Sequence, residues 1–341
     1  MMPSIAVVIP NYNDSGTLKQ CLDSVFGQED MPDQVFIVDD QSTDDSLIVI
    51  KKYLRDIPLA QLIVNTSRLG TIGALNEGLK RVTADYALFL SSNDYLKPGI
   101  FKRARNRIYH DGYPGIWSAM VSVIDEQGKL SRLYPSPVIS CKDTYLSPEK
   151  CIRMAMLIGH WFTGTTLIYH CETLKNIGGF DIAYKGLADM FAALTVASIK
   201  GASFSPEPFG VMREHTGGLM HRTSTDLPGL DALLDRMANE GPNLSPRLFN
   251  TKFCQVMQRR IRFTAIRAFS DCSWRTHIQY WYGYRYKILY MINPLFGKVR
   301  ILQLMAAFIL LRPIMDLFVI VWYRVLGALF VSTRLRLVKN V

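Results

Sequence analysis

The chain has 341 residues, enough for one large α/β domain and an appendage, and its 49% hydrophobic and 20% charged content excludes wholesale disorder. The six cysteines (21, 141, 151, 171, 254, 272) show no CxxC pair and no zinc-like spacing, so they read as reduced structural thiols of a cytosolic compartment. The net charge of +10 is uneven: Arg247 to Val341 carries 16 Lys and Arg against two acids, whereas the rest carries 23 basic and 27 acidic residues.

The opening MMPSIAVVIPNYND has no basic run, the pattern of a first strand rather than a signal peptide. Ile5–Ile9 is an unbroken apolar run ending at Pro10, as in a buried parallel strand. Leu18, Cys21, Leu22, Val25 and Phe26 then recur at helical spacing. Val35–Val38 predicts a second strand ending in Asp39-Asp40, and a second helix over Thr43–Arg55 has the polar start wanted at an N-cap. Leu62–Val64 and Tyr86–Leu90 predict two further strands, with Ile72, Leu75 and Leu79 marking the helix between them. This βαβ series implies a doubly wound, mostly parallel sheet, with ligands beyond the carboxyl ends of its strands. The polar residues there are Asn11–Asn13, Asp39-Asp40, Asn65–Arg68 and Ser91–Asp94.

The middle of the chain offers strands over Ile116–Ile124, Thr165–Tyr169 and Pro208–Met212, a turn at Asp125–Gly128, and a helix near Leu187–Ile199. Asp226–Glu240 and Arg247–Arg300 read as helical, the latter with 11 basic residues, one acid and seven Trp or Tyr from Trp274 to Tyr290. The segment 301–331 is nearly apolar, but its uncharged runs are shorter than the ~20 residues of a clean membrane span. Basic and aromatic residues beside an apolar stretch favour helices lying in an anionic membrane surface over nucleic-acid binding. That places the protein at the cytoplasmic face of a membrane, peripheral, monotopic or re-entrant, with its oligomeric state open.

Five motifs stand in order: VVIPNYND (7–14), VDDQSTDDS (38–46), LGTIGALNEGL ahead of and through a helix, FLSSNDYLKPG (89–99) and NIGGFD (176–181). In order and spacing they resemble family 2 glycosyltransferases of the GT-A fold, over roughly residues 4–220. The resemblance implies a Rossmann-like α/β fold, mostly parallel, with a helical C-terminal extension. Residues 1–110 would be the nucleotide-sugar half, 111–225 the acceptor half, and 226–341 the basic helical region.

By resemblance, Pro10 and Tyr12 line the base, Asp39 and Asp40 reach its imide edge, Arg68 meets the diphosphate and Asn93 the ribose. The plainer alternative is that Asp39, Asp40 and Ser42 cap the next helix, that Arg68 is a solvated surface residue, and that Asn93-Asp94 is an ordinary turn. Where the family carries D-x-D-D this sequence has Ser91, Ser92, Asn93 and Asp94, which leaves Asp94 to hold Mg²⁺ or Mn²⁺ alongside the diphosphate. Asp189 stands at the position of the general base, preceded by Ala188 where the family more often has Glu; a purely local role favouring a helix N-terminus is its alternative. His215 is a second candidate metal ligand or a structural histidine.

The expected activity is inverting transfer of a single sugar from a nucleotide sugar, a UDP-sugar by family preference, to a glycan or lipid-linked acceptor in polysaccharide or glycolipid biosynthesis. No QxxRW-like motif of processive synthases is present. The competing readings are a catalytically impaired scaffold at the membrane and a sugar-phosphate nucleotidyltransferase, whose GxGTR-type loop is missing.

Overall fold

The computed structural model describes residues 1–268 apart from 136–137 and 215–218. His215, the aromatic run from Trp274 to Tyr290 and the apolar segment 301–331 therefore lie outside the described residues.

The first part alternates as its periodicity requires: β1 (Ile5–Asn11), α1 (Ser15–Phe26), β2 (Gln34–Asp39), α2 (Ser46–Tyr53), β3 (Ala60–Val64), α3 (Gly70–Arg81) and β4 (Tyr86–Phe89). Then come β5 (Tyr95–Leu96), α4 (Ile100–His110), β6 (Ile116–Ile124), β7 (Leu130–Tyr134) and β8 (Thr144–Leu146). They are followed by α5 (Pro148–Ile158), β9 (Ile168–His170), α6 (Cys171–Asn176), α7 (Ala188–Lys200) and β10 (Ala202–Arg213). Helices α8 (Leu219–Thr225), α9 (Leu227–Leu244) and α10 (Thr251–Ala268) end the described chain.

Among the described residues ten strands form one sheet of order β3-β2-β1-β4-β9-β6-β10-β5, with β7 on β6 and β8 on β10. The four strands from β3 to β4 are parallel, as the βαβ series predicts. Beyond β4 the sheet is mixed, because β9 runs antiparallel to both β4 and β6 and only β6 and β10 pair in parallel. The strand expected over 165–169 shrinks to three residues, since Gly164–Thr166 coils into a 3₁₀ turn. Helix α2 starts three residues later than its polar lead suggests. Asp44 spends its carboxylate on the N–H groups of Ser46 and Ser15, both at 3.0 Å, and these bonds hold it down to about 2 although burial opposes them.

Alternate residues of β1 feed two cores. Ile5, Val7 and Ile9 pack with α1 and α4, through Leu18, Leu22, Phe101 and Ala104. Ala6 and Val8 face Leu75 and Leu79 of α3 in the second core, which continues through Phe191 and Leu194 of α7. Helix α3 approaches β1 so closely that a Cβ on Gly78 would stand 2.3 Å from Val8 Cγ1. The stretch 182–200 is long and apolar enough to cross a membrane, but 67% of its most apolar window is buried inside the fold, which makes it a core element.

The second core also takes Leu230, Leu234 and Met237 of α9 and Phe253 and Met257 of α10. Three residues of the basic stretch are tied into the same body. Arg247 pairs with Glu149 at 2.9 Å, Arg262 with Asp231 at 2.8 Å, and the buried Arg260 donates to the carbonyls of Ala155 and Leu157.

Candidate functional site

The parallel strands deliver their polar ends to one edge. Asp40 N–H donates to the Asn11 carbonyl and Asn65 N–H to the Asp39 carbonyl, both at 2.9 Å, so the ends of β1, β2 and β3 are laced together. Asp39 is fully buried; its Oδ1 accepts from Ser42 N–H and its Oδ2 from Asn11 Nδ2. Asp40 is 2% exposed and caps α3, the helix after β3, rather than α2. Its Oδ1 accepts from Asn65 Nδ2 and Leu69 N–H, both at 2.8 Å, and its Oδ2 accepts from Gly70 N–H at 2.7 Å. A carboxylate has about four lone-pair directions, so Asp40 Oδ2 retains one beyond these bonds. The buried Asn11 Oδ1 has no hydrogen-bond partner among the described residues, a second acceptor left over at this edge.

Tyr12 follows β1 directly, and the guanidinium of Arg68 lies over its ring, 3.7 Å from the centroid. The structure thus brings Tyr12 and Arg68 into contact, a pairing with the geometry of a cation–π interaction. Pro10 is buried within β1 opposite Val38.

The Ser91–Asp94 loop follows β4 and is tied down on three sides. From α1, Thr17 Oγ1 donates to the Ser92 carbonyl at 3.3 Å, and Ser92 Oγ makes a short bond to Asp14 Oδ2 at the start of that helix. Ser91 Oγ donates to Asn93 Oδ1 at 2.8 Å. From β10, Arg213 sends Nη1 to the Asn93 carbonyl at 2.6 Å and its main-chain N–H to Asp94 Oδ1 at 3.0 Å. The third tie is Thr165, whose hydroxyl donates to Asp94 Oδ2 at 2.7 Å. Asp94 is 5% exposed, so the loop's one acid faces protein donors on both oxygens. Among the described residues no three His, Cys, Asp or Glu side chains gather to hold a metal. One carboxylate with amide and hydroxyl neighbours suits an ion that keeps waters and takes most of its remaining ligands from a diphosphate.

Asp189 lies in the first turn of α7 and is reached through the same 3₁₀ turn. A Cβ on Gly164, the residue beside Thr165, would stand 3.4 Å from Asp189 Oδ2. Met190 N–H donates to Asp189 Oδ1 at 2.7 Å, and Tyr169 Oη donates to the Asp189 carbonyl at 3.0 Å. Burial raises the Asp189 carboxyl above the ordinary carboxylate range, although the backbone N–H groups of Met190 and Asp189 pull it down. The turn ahead of it is strained: Lys185 takes φ 47° and ψ −126°, a conformation that costs energy outside glycine. It is fixed by Gly186 N–H to Thr223 Oγ1 at 3.0 Å and by the Lys185–Asp226 ion pair at 3.0 Å.

NIGGFD docks on α3. Asn76 Nδ2 donates to the Phe180 carbonyl and Phe180 N–H returns to Asn76 Oδ1, while a Cβ on Gly179, whose φ is +78°, would stand 2.8 Å from Asn76 Oδ1. A groove of about 590 Å³ beside this contact shares Leu69 with the Asp40 cap and none of the other proposed site residues. Thr165 and Arg213 are the site-building residues to which the sequence assigns no role. The one local hint is the hydroxyl-rich Thr163–Thr166 between apolar runs.

A mixed α/β sheet with carboxylates and amides at its strand ends, and a further acid presented by the first turn of a core helix, fits the GT-A arrangement that the sequence motifs imply. The family model described as glycosyl transferase family 2 matches residues 6–178, just over half the chain, and the chain belongs to that family. An uncharacterised protein of Mycobacterium tuberculosis is 26% identical over 63% of this chain and 68% of its own length. The GalNAc(5)-diNAcBac-PP-undecaprenol beta-1,3-glucosyltransferase of Campylobacter jejuni is 24% identical over 48% of this chain, which spans about half that relative (51%). Among solved structures, Staphylococcus aureus TarS 1–349 in complex with UDP-GlcNAc matches with a TM-score of 0.56 at 18% identity, over 78% of this chain and 81% of that one. Mannosyltransferase PcManGT of Pyrobaculum calidifontis, in complex with GDP-Man and Mn²⁺, matches with 0.52 at 16% identity, over 95% and 88%. These two likenesses are of fold.

Proposed function

We propose that this chain transfers one sugar from a UDP-sugar, with inversion, to a hydroxyl of a glycan or lipid-linked acceptor in polysaccharide or glycolipid biosynthesis. The observation that carries this reading is the Gly164-Thr165 turn: Thr165 bonds Asp94, and Gly164 lies close enough to Asp189 that a Cβ there would stand 3.4 Å from its Oδ2. Relatives act in such settings: the Campylobacter jejuni enzyme is named for an undecaprenol-linked substrate, and TarS is a poly(ribitol-phosphate) beta-N-acetylglucosaminyltransferase.

In this reading the base stacks in the pocket of Pro10 and Tyr12, its imide N–H meets the spare lone pair of Asp40 Oδ2, and Arg68 leaves the Tyr12 ring to meet the diphosphate. Asn93 faces the ribose. Asp189 takes the proton of the acceptor hydroxyl while that oxygen attacks the anomeric carbon. The carbon–oxygen bond to the diphosphate breaks on the opposite face, releasing UDP and inverting the centre. A raised carboxyl is the better base near neutral pH. Mg²⁺ or Mn²⁺, held by Asp94 and the phosphates, would supply positive charge to the departing diphosphate. The basic and apolar sequence beyond α10 would bring this site to the cytoplasmic face of an anionic membrane.

The test offers the full-length protein UDP-glucose, UDP-galactose, UDP-N-acetylglucosamine and GDP-mannose, with Mn²⁺ and with chelator. A bound nucleotide should raise Tm by mass action, about 2.7 kcal/mol at a hundredfold excess over Kd, and one donor should be hydrolysed in the presence of the metal. Binding without turnover supports the scaffold alternative, and the absence of both binding and turnover refutes the proposal. Flotation with phosphatidylglycerol vesicles tests the membrane claim: protein that stays with the soluble fraction at low salt overturns it.

A further inference from the structure

Asp189 has polar company on the acceptor side. Tyr134 ends β7, held beside β6 opposite Val121, and its hydroxyl lies 2.8 Å from His160 Nε2. The His160 ring is 6.3 Å from that of Tyr134 and 5.7 Å from that of Phe162, so the three form one aromatic wall. Two residues after Phe162 the chain reaches Gly164, where a Cβ would stand 3.4 Å from Asp189 Oδ2.

The wall is neutral at physiological pH. Burial holds His160 down to about 4, and burial together with the Asp189 charge pushes Tyr134 up to about 12 against the opposing Arg132. Arg132 is itself occupied by Glu214 through two bonds of 2.8 and 2.9 Å. A neutral imidazole has one N–H and one bare nitrogen. If Tyr134 donates to Nε2, the Nδ1–H is left over; if Nε2–H donates to Tyr134, the phenol proton is left over. In either tautomer one donor remains with no protein partner among the described residues, and Tyr134 lies within the field of the Asp189 carboxylate, which can take a proton. Neutral donors and acceptors on aromatic faces match the hydroxyls and C–H faces of a pyranose, and they match a phosphate or a lipid headgroup poorly because they bring no positive charge.

We propose that Tyr134 and His160 form the acceptor subsite, binding a sugar residue of the acceptor and setting the hydroxyl that faces Asp189. This rests on the glycosyl-transfer reading above and narrows it to a carbohydrate acceptor. The test uses the full-length protein saturated with UDP and a set of methyl glycosides: methyl β-D-glucopyranoside, methyl α-D-mannopyranoside, methyl β-D-galactopyranoside and their 2-acetamido counterparts. Saturation-transfer NMR reads their C–H protons and titration gives Kd. The wild type should show binding of at least one glycoside. Tyr134→Phe should weaken it about three- to tenfold, as expected for one lost hydrogen bond, His160→Ala more, and His160→Gln should retain most of it. The Tm rise produced by UDP should be equal in all four proteins, which shows that fold and donor site are intact. Unchanged glycoside binding in Tyr134→Phe and His160→Ala overturns the proposal, as does a wild type that binds UDP but none of the glycosides. A wild type that shows no UDP shift refutes the glycosyl-transfer reading, and this inference with it.

Discussion

Asp40→Asn separates the two tasks assigned to one carboxylate. The amide is isosteric, but one of its ends carries N–H donors. With its oxygen at the Oδ1 position it keeps Asn65 Nδ2 and Leu69 N–H and turns its NH₂ against Gly70 N–H, which now donates to Oδ2 at 2.7 Å. The opposite rotamer saves Gly70 and loses the other two. The better rotamer forfeits one charge-assisted bond, about 1.5–3 kcal/mol, and the negative charge at the start of α3, roughly 0.3–1 kcal/mol. The expected loss is thus about 2–4 kcal/mol, a fall in Tm of roughly 3–7 °C for a chain of this size. The same NH₂ would confront the imide N–H of a bound base, so UDP affinity should drop about tenfold or more when one hydrogen bond is replaced by donor against donor. Thermal denaturation with and without UDP reads both. A lower Tm with unchanged UDP affinity would remove Asp40 from the base pocket and leave it as the α3 cap. An unchanged Tm would refute the energetic assignment of the three bonds.

Asp189→Asn can keep the Met190 bond through its amide oxygen, so transfer should fall ~10²–10⁴-fold while UDP binding is preserved. Because burial raises the wild-type carboxyl, its base form appears only above the ordinary carboxylate range, and the acid limb of the kcat/KM profile should be displaced upward accordingly. The stability sign follows: a raised folded-state pKa means that ionisation costs stability as pH rises through it, so at neutral pH the Asn variant should melt no lower than wild type. Full activity in this variant excludes Asp189 as the base. Thr165→Val deletes the 2.7 Å bond to buried Asp94 and should cost about 1–3 kcal/mol and raise the metal concentration needed for half-maximal activity, whereas Thr165→Ser should restore both. Equal metal dependence in Val and Ser variants would detach Asp94 from metal binding.

The strand-and-helix order from β1 to β4 was legible because each buried strand is an unbroken apolar run and each helix repeats at 3.6 residues. The candidate carboxylates were legible as well, since acids at strand ends stand out against apolar neighbours. Their partners were not. Thr165 and Arg213 reach Asp94 across 71 and 119 residues, and Asn76 meets Phe180 across 104, separations that no periodicity encodes. The same limit hid the fact that Asp40 caps α3 and not the helix that follows it in sequence. Composition also overstated the free charge of the basic stretch, because Arg247, Arg260 and Arg262 are tied to Glu149, to two carbonyls and to Asp231. The proposed membrane attraction would therefore fall to basic residues later in the chain.

The replacement of acids by Ser91, Ser92 and Asn93 has its own consequence for metal binding. An acid-rich loop holds several like charges together and is relieved by a cation even without substrate. Here the loop is already satisfied: Ser91 bonds Asn93, Ser92 bonds Asp14, Arg213 holds the Asn93 carbonyl, and Thr165 and Arg213 hold Asp94. Little repulsion remains for a free ion to relieve, and a lone carboxylate with two protein donors is a weak site for a dehydrating cation. Mn²⁺ should bind this protein only together with the diphosphate. Electron paramagnetic resonance should show free Mn²⁺ persisting when the protein is added alone and lost on further addition of UDP, beyond the loss that UDP causes by itself. Tight Mn²⁺ binding without nucleotide would contradict this, and would mean that ligands outside the described residues complete a metal site of the protein's own.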